Sequence, residues 1–176
     1  MTTRNADVVF VDQIETPIGP MVAAATNSDL MMLEYLERHA VPTTSLRLGD
    51  ETFACAEGDS PVLVALRAQL AEYFDGRRTR FELSLRTPGT AFQQLVWSEL
   101  QTIPPGSTTT YSAVAKAIGR PTAVRAVAGA NGDNRIAIVI PCHRVIGADG
   151  KLTGYGGGLW RKQKLLDLET GALALV

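Results

Sequence analysis

The chain is poor in the two residues that most often carry chemistry at neutral pH. Its 176 residues include two cysteines, Cys55 and Cys142, and two histidines, His39 and His143. Two cysteines cannot build a disulfide framework, so reduced thiols and a cytoplasmic setting are expected. Neither cysteine has a further cysteine or histidine at metal-ligand spacing, apart from the adjacent Cys142–His143 pair. Neighbouring residues cannot by themselves close a four-ligand zinc site, and no metal or other cofactor is expected. Long apolar runs are missing too. None approaches the roughly 20 residues of a membrane span, and residues 1–7 have no apolar core behind them of the kind a signal peptide needs. There is no internal repeat and no low-complexity tract. What remains, 45% hydrophobic and 20% charged, is ordinary for a soluble globular protein. The length suits one large domain or two small ones.

The net charge of −1 conceals an uneven distribution. Residues 1–100 carry eight lysines and arginines against fourteen acids, and residues 101–176 carry nine against four. An acidic half joined to a basic half points to a polyanion met by the second alone. Chance scatter of surface charge is the equal alternative at this level.

The turn residues Thr87-Pro88-Gly89 divide the chain into segments 1–87 and 88–176. In the first, Val8 to Val11 is a short apolar run. Met21 to Thr26 and Leu30 to Leu36, joined by Asn27-Ser28-Asp29, predict a hairpin. Residues 40–58 have no clear period. Ser60 can cap a helix that Pro61 opens, and Leu63, Leu66, Leu70 and Phe74 recur at helical spacing. Phe81 to Leu85 alternates like a strand. In the second segment, Thr90 and Gln93 form a capping-box signature ahead of a helix with Phe92, Leu95, Val96, Leu100 and Ile103 on one face. Helices over 111–118 and 122–130, broken at Gly119-Arg120-Pro121, have the outline of a helix-turn-helix. Gly147 to Gly158 is a glycine-rich loop, and Leu159 to Glu169 a final helix.

The residues with the most chemical promise are Ile140-Pro141-Cys142-His143-Arg144-Val145. The apolar run Ile136 to Ile140 reads as a buried strand or extended segment, and Pro141 ends any ladder. The thiol therefore stands where the backbone leaves the core, beside a group able to take its proton near neutral pH. A histidine in that role usually has its other nitrogen held by an acid; Glu169 is the first candidate and Asp167 the second. A small buried hydrophobe is the plain alternative for Cys142, and it is the preferred reading of Cys55. Trp97, Phe92 and Trp160 are expected in the core, His39 in a solvated loop, and Arg161-Lys162-Gln163-Lys164 on a wet basic helix face. The helix over 122–130 is made of Ala123, Ala126, Ala128, Gly129 and Ala130, with Arg125 its one large polar group. It has little with which to read base edges. Its smallness suits close approach to a minor groove or, equally, tight helix packing.

Residues 134–145, Asn134-Arg135-Ile136-Ala137-Ile138-Val139-Ile140-Pro141-Cys142-His143-Arg144-Val145, resemble the active-site segment of the O6-alkylguanine-DNA alkyltransferases. So do Thr16-Pro17-Ile18-Gly19-Pro20, Gly89-Thr90-Ala91-Phe92-Gln93, Thr110-Tyr111 and Gly154-Tyr155-Gly156-Gly157-Gly158, in order and spacing. The resemblance implies an α/β N-terminal domain of ribonuclease-H-like topology and a mainly α C-terminal domain, winged-helix-like with a helix-turn-helix. It implies single-turnover repair of double-stranded DNA carrying O6-alkylguanine, in which a flipped base gives its alkyl group to the protein's own cysteine. O4-alkylthymine is a possible second substrate. In that frame Cys142 is the acceptor, His143 a water-mediated base, Glu169 the residue orienting it, and Asn134 the holder of the turn. Tyr111 would donate a proton toward the purine, and Arg125 would fill the gap in the base stack. Tyr155 and Gly156 would line the pocket, and Ala126, Ala128 and Gly129 would approach the DNA. A monomer is expected, with cooperative binding along DNA left open. The family commonly has proline where Arg135 stands. A multiple-turnover cysteine hydrolase and a sequence-specific helix-turn-helix regulator are the rival readings.

Overall fold

The computed structural model describes residues 8–38 and 40–172. The expectations placed on His39 and on residues 1–7 fall outside them. A five-stranded sheet occupies the first half, in the order β3-β2-β1-β5-β4, with β1 at Val9–Ile14, β2 at Met21–Ala25, β3 at Leu30–Tyr35, β4 at Ser45–Leu48 and β5 at Glu51–Ala56. The β1–β2, β2–β3 and β4–β5 pairs are antiparallel and β1–β5 is parallel. β2 is buried on both faces. Met21, Ala23 and Ala25 enter the main core, whereas Val22 and Ala24 join Met31, Met32, Leu46, Leu48 and Phe53 on the far side. That split follows from the period of two along a strand.

α1 (Pro61–Phe74) starts as its sequence predicts: the Ser60 side chain accepts a hydrogen bond from the Leu63 amide, and Pro61 opens the first turn. Leu63, Leu66, Leu70, Tyr73 and Phe74 all go into the core. The second half is helical: α2 (Ala91–Leu100), α3 (Tyr111–Ala117), α4 (Val124–Gly132) and α5 (Leu159–Glu169). The Thr90–Gln93 capping box forms in both directions. α4 begins two residues later than its composition suggests, because the Ala123 amide bonds to Arg120 O and makes residues 120–123 a turn. A sheet half followed by a helical half is the architecture the sequence implies.

Several local expectations are corrected. Residues 40–58, which lack a clear period, contain the β4–β5 hairpin. Phe81 to Leu85 is not a strand: it meets β3 at one bridge, Leu30 with Leu85, and the backbone of Glu82 bonds to the Gln69 side chain instead of a ladder. The segment 136–140 is buried but not extended. After one bridge from Leu33 to Ile136 it turns, and Ile138 takes φ 71°. A β-branched side chain there is a strained choice, held by a Val139 N–H bond to Ala137 O and an Ile140 N–H bond to Ile136 O. On α2, Leu95 is exposed, and Ile103 lies beyond the helix end.

Two short strands complete the scaffold. β6 (Thr109–Thr110) pairs in parallel with β7 (Val145–Ile146). This joins the chain just before Tyr111 to the chain just after Arg144, and so fixes α3 beside the cysteine segment. No helix among the described residues is long and apolar enough to cross a membrane.

Candidate active site

Cys142 opens a 3-10 turn, Cys142–Arg144, directly after Pro141. Cys142 lines a cleft of about 400 Å³ and is 6% exposed. The turn before it is organised by one side chain. Asn134 donates through Nδ2 to Ile140 O at 2.9 Å and to Cys142 Sγ at 3.1 Å, and its Oδ1 accepts from the Ile136 amide at 2.9 Å. A single amide therefore shapes the bend and holds the sulfur. The edge of β3 braces the same bend: Leu33 exchanges backbone hydrogen bonds with Arg135 and Ala137 at 2.8 and 2.9 Å. Arg135, in the place of the commoner proline, reaches Glu34 at 3.1 Å.

His143 is fully buried, and its Nε2 meets Glu169 Oε1 at 2.8 Å. Asp167, the alternative, instead accepts from Gln163 at 2.7 Å. The pairing with a carboxylate assigns the Nε2 proton to the acid side and leaves Nδ1 as the basic nitrogen. Nδ1 is buried and hydrogen-bonded to no described group. Glu169 accepts from far more than the histidine. Arg144 donates to it twice, at 2.9 Å each, Tyr73 OH at 2.8 Å, and the Gly106 amide at 3.3 Å. Burial pushes the Glu169 carboxyl up, but the hydrogen bonds from His143 and Arg144 and the guanidinium charge of Arg144 outweigh it and hold the group far below the usual carboxylate range.

Burial raises the Cys142 thiol and lowers the His143 imidazolium; Asn134 and the charge of Lys162 act on the thiol in the opposite direction. Both shifts favour a protonated thiol beside a neutral imidazole in the resting site. Desolvation is the reason: the sulfur is almost wholly enclosed.

Two basic residues expected on a wet helix face are core residues. Lys162 is 0% exposed and donates to Val145 O at 2.6 Å and Thr153 O at 2.7 Å. Arg161 is 3% exposed and bonds to Ile18 O, Gly157 O and the Glu37 carboxylate. The position of Lys162 follows from helical arithmetic: Lys162, Leu165, Leu166 and Glu169 share the i, i+3, i+4, i+7 face. Trp160, expected in the core, is instead 52% exposed, with the Arg161 guanidinium over its ring at 4.4 Å. Trp97 is buried and ties α2 to α4 through a 2.8 Å bond to Ala130 O, while Phe92 is half-buried.

The cleft walls come from both halves. Tyr111 is half-buried, with its hydroxyl 3.4 Å from Thr153 O, and Tyr155 bonds to the Tyr35 hydroxyl at 2.9 Å. A Cβ at Gly156 would lie 2.0 Å from a guanidinium nitrogen of the exposed Arg38 and would push that side chain aside. On α4, Arg125, Ala126, Ala128 and Gly129 are exposed, while Val127, Ala130 and Asn131 face the core. Ala128 also lines the cleft mouth. Tyr73, Arg144, Lys162, Arg161 and Tyr35 join the site without a role there that the sequence predicts.

The chain is similar to known proteins along most of its length. Residues 91–171 match the family model for the 6-O-methylguanine DNA methyltransferase DNA-binding domain, and residues 9–87 that for its ribonuclease-like domain. The chain is 47% identical over 156 residues to the methylated-DNA–protein-cysteine methyltransferase of Mycobacterium tuberculosis, covering 89% of each. It is 53% identical over 163 residues to that of Methanosarcina mazei, covering 91% of this chain and 96% of the relative. The solved structure of the Mycobacterium tuberculosis OGT bound to DNA superposes with a TM-score of 0.78 at 44% identity, covering 93% of both chains.

Proposed function

The chain belongs to the 6-O-methylguanine DNA methyltransferase family, and from that membership we propose how its own residues carry out the repair. It is a methylated-DNA–protein-cysteine methyltransferase that removes alkyl groups from O6 of guanine in duplex DNA by direct transfer to itself. Cys142 is the acceptor. The observation that carries the assignment is the chain of contacts from Asn134 to the Cys142 sulfur, with the His143–Glu169 pair directly behind it.

The thiol proton passes to His143, through a water at the basic Nδ1, as the sulfur attacks the alkyl carbon. The carbon–O6 bond breaks, its electron pair returns to the purine, and Tyr111 supplies the proton that makes the departing base neutral guanine; the Tyr111 phenolate then regains a proton from solvent, to which the His143 imidazolium releases the one taken from the thiol. A stable thioether remains, so the protein turns over once. The enclosed site favours this arrangement: a neutral thiol and a neutral imidazole tolerate burial, and ionisation is needed only once a substrate has displaced solvent. Lys162 supports it as the buried cation whose charge opposes the rise of the thiol.

Chemistry at a paired base requires extruding it from the stack, which costs a few kcal/mol and least at a damaged pair. Arg125, exposed on α4, is the side chain suited to fill the gap, and Ala126, Ala128 and Gly129 allow the helix backbone close to a minor groove. Tyr155 and Gly156 belong to the base pocket. We place the boundary of the two domains at 87/88, between the two matched spans, and assign a cytoplasmic, monomeric protein without a cofactor.

Incubating the protein with an O6-methylguanine duplex is expected to add one methyl mass to the Cys142 peptide, reaching a plateau at one equivalent per protein. Continued turnover beyond one equivalent would indicate a hydrolase-like site instead. In Arg125→Ala, transfer to duplex DNA is expected to slow by about tenfold, against little change with free O6-benzylguanine, because only the duplex needs its stack filled. Equal slowing with both substrates would remove Arg125 from that role.

A further inference from the structure

We propose that Tyr35, the last residue of β3 in the sheet half, sets the size of alkyl group the cleft accepts. The inference rests on the alkyl-transfer reading above and deepens it. The residues around Cys142 that reading uses all come from the helical half, yet Glu34, Tyr35 and Arg38 line the same cleft. Of these, Tyr35 is the one built rigidly into the wall. It is 2% exposed. Its hydroxyl bonds to Tyr155 OH at 2.9 Å, and the two rings meet edge to face with centroids 6.0 Å apart. The Arg161 guanidinium lies over its ring at 4.5 Å and is itself held by Ile18 O, Gly157 O and Glu37. On another side the ring presses on the backbone of Gly157 so closely that a Cβ there would be 2.3 Å from it.

Tyr35 is therefore fixed by a cation–π contact, by its bond to Tyr155 and by a glycine backbone. A wall so held cannot swing aside for a larger substituent. Tyr35 and Tyr155 line the same cleft as the acceptor Cys142. A group bound to the sulfur shares this cleft with the two rings. The triple-glycine stretch is then half of a match: Gly157 is small because Tyr35 approaches it, and Tyr35 determines how much of the cleft is left.

The test compares transfer rates from matched duplexes carrying O6-methylguanine or O6-benzylguanine at one position, and reads only the benzyl-to-methyl ratio, so that any general loss of reactivity cancels. Tyr35→Leu is expected to raise the ratio by about fivefold or more, and Tyr35→Trp to lower it by a similar factor. Tyr35→Phe keeps the ring and releases Tyr155, and is expected to raise the ratio by about twofold. An unchanged ratio in Leu and Trp variants that still transfer methyl overturns the proposal. Should those two fail to fold, an unchanged ratio in Tyr35→Phe overturns it. Absence of any adduct from either duplex on the wild-type protein would strike the alkyl-transfer reading itself.

Discussion

Cys142→Ser is expected to lose alkyl transfer by at least about a thousandfold while still binding alkylated duplex, because a hydroxyl is far harder to ionise than a thiol and a poorer nucleophile for carbon. The substitution is small. The Asn134 amide that now donates to the sulfur at 3.1 Å can donate to the serine oxygen, and the residue is 6% exposed where it lines the cleft. The face proposed to meet DNA is on α4, whose Arg125, Ala126, Ala128 and Gly129 do not change. Binding followed by fluorescence anisotropy should therefore stay within about threefold, since phosphate contacts supply most of the affinity. Mass spectrometry should find no adduct on any peptide. An alkylated Cys55 in the variant, or transfer at a rate near that of the wild type, would remove Cys142 from its role.

The second large effect belongs to Glu169, and it concerns stability as much as chemistry. Its side chain is 2% exposed and is met by His143, Arg144, Tyr73 and the Gly106 amide. Removing it leaves the Arg144 guanidinium, itself 8% exposed, without a counter-ion, so Glu169→Ala is expected to destabilise the fold by about 3–5 kcal/mol. Glu169→Gln keeps the shape and should lose transfer by about a hundredfold, since the amide neither fixes the same imidazole tautomer nor supports its cation. The carboxyl titrates lower in the folded protein than in the unfolded chain. Its contribution is whole above the ordinary carboxylate range and is lost as pH falls through that range toward the depressed folded value. Denaturant unfolding at a series of pH values should show the wild type losing stability below about pH 4.5 more steeply than Glu169→Gln. Parallel curves, or a Glu169→Ala variant as stable as the wild type, would mean that the pair is not coupled to the fold.

Local grammar was readable where a single mechanism decides the backbone. Ser60-Pro61 starts α1, and Thr90 with Gln93 starts α2, because a cap depends on atoms three residues apart. The β2–β3 hairpin was plain from its apolar runs and polar turn. The β4–β5 hairpin was not, since only Leu46, Leu48 and Phe53 in it turn inward and the rest is exposed or half-exposed. The segment 136–140 has the composition of a strand. Its left-handed Ile138 follows from Asn134 capturing the backbone at Ile136 and Ile140, a contact between residues whose meeting composition does not encode. Lys162 and Arg161 lie in the core for a related reason. Charge alone suggests solvent, but carbonyls and a carboxylate brought from residues 18, 37, 145, 153 and 157 replace the water each would lose.

From residue order alone came the proposed acceptor and its histidine neighbour, the two-part organisation and the alanine-rich helix that suits indifferent reading of DNA. These are properties of residues adjacent in the chain or spaced by one helical turn. The choice of Glu169 over Asp167, the burial that keeps the thiol protonated at rest, and the reach of Tyr35 and Tyr73 from the sheet half into the site were decided by folding. Each depends on distances between residues tens of positions apart, and on how completely water is removed from between them.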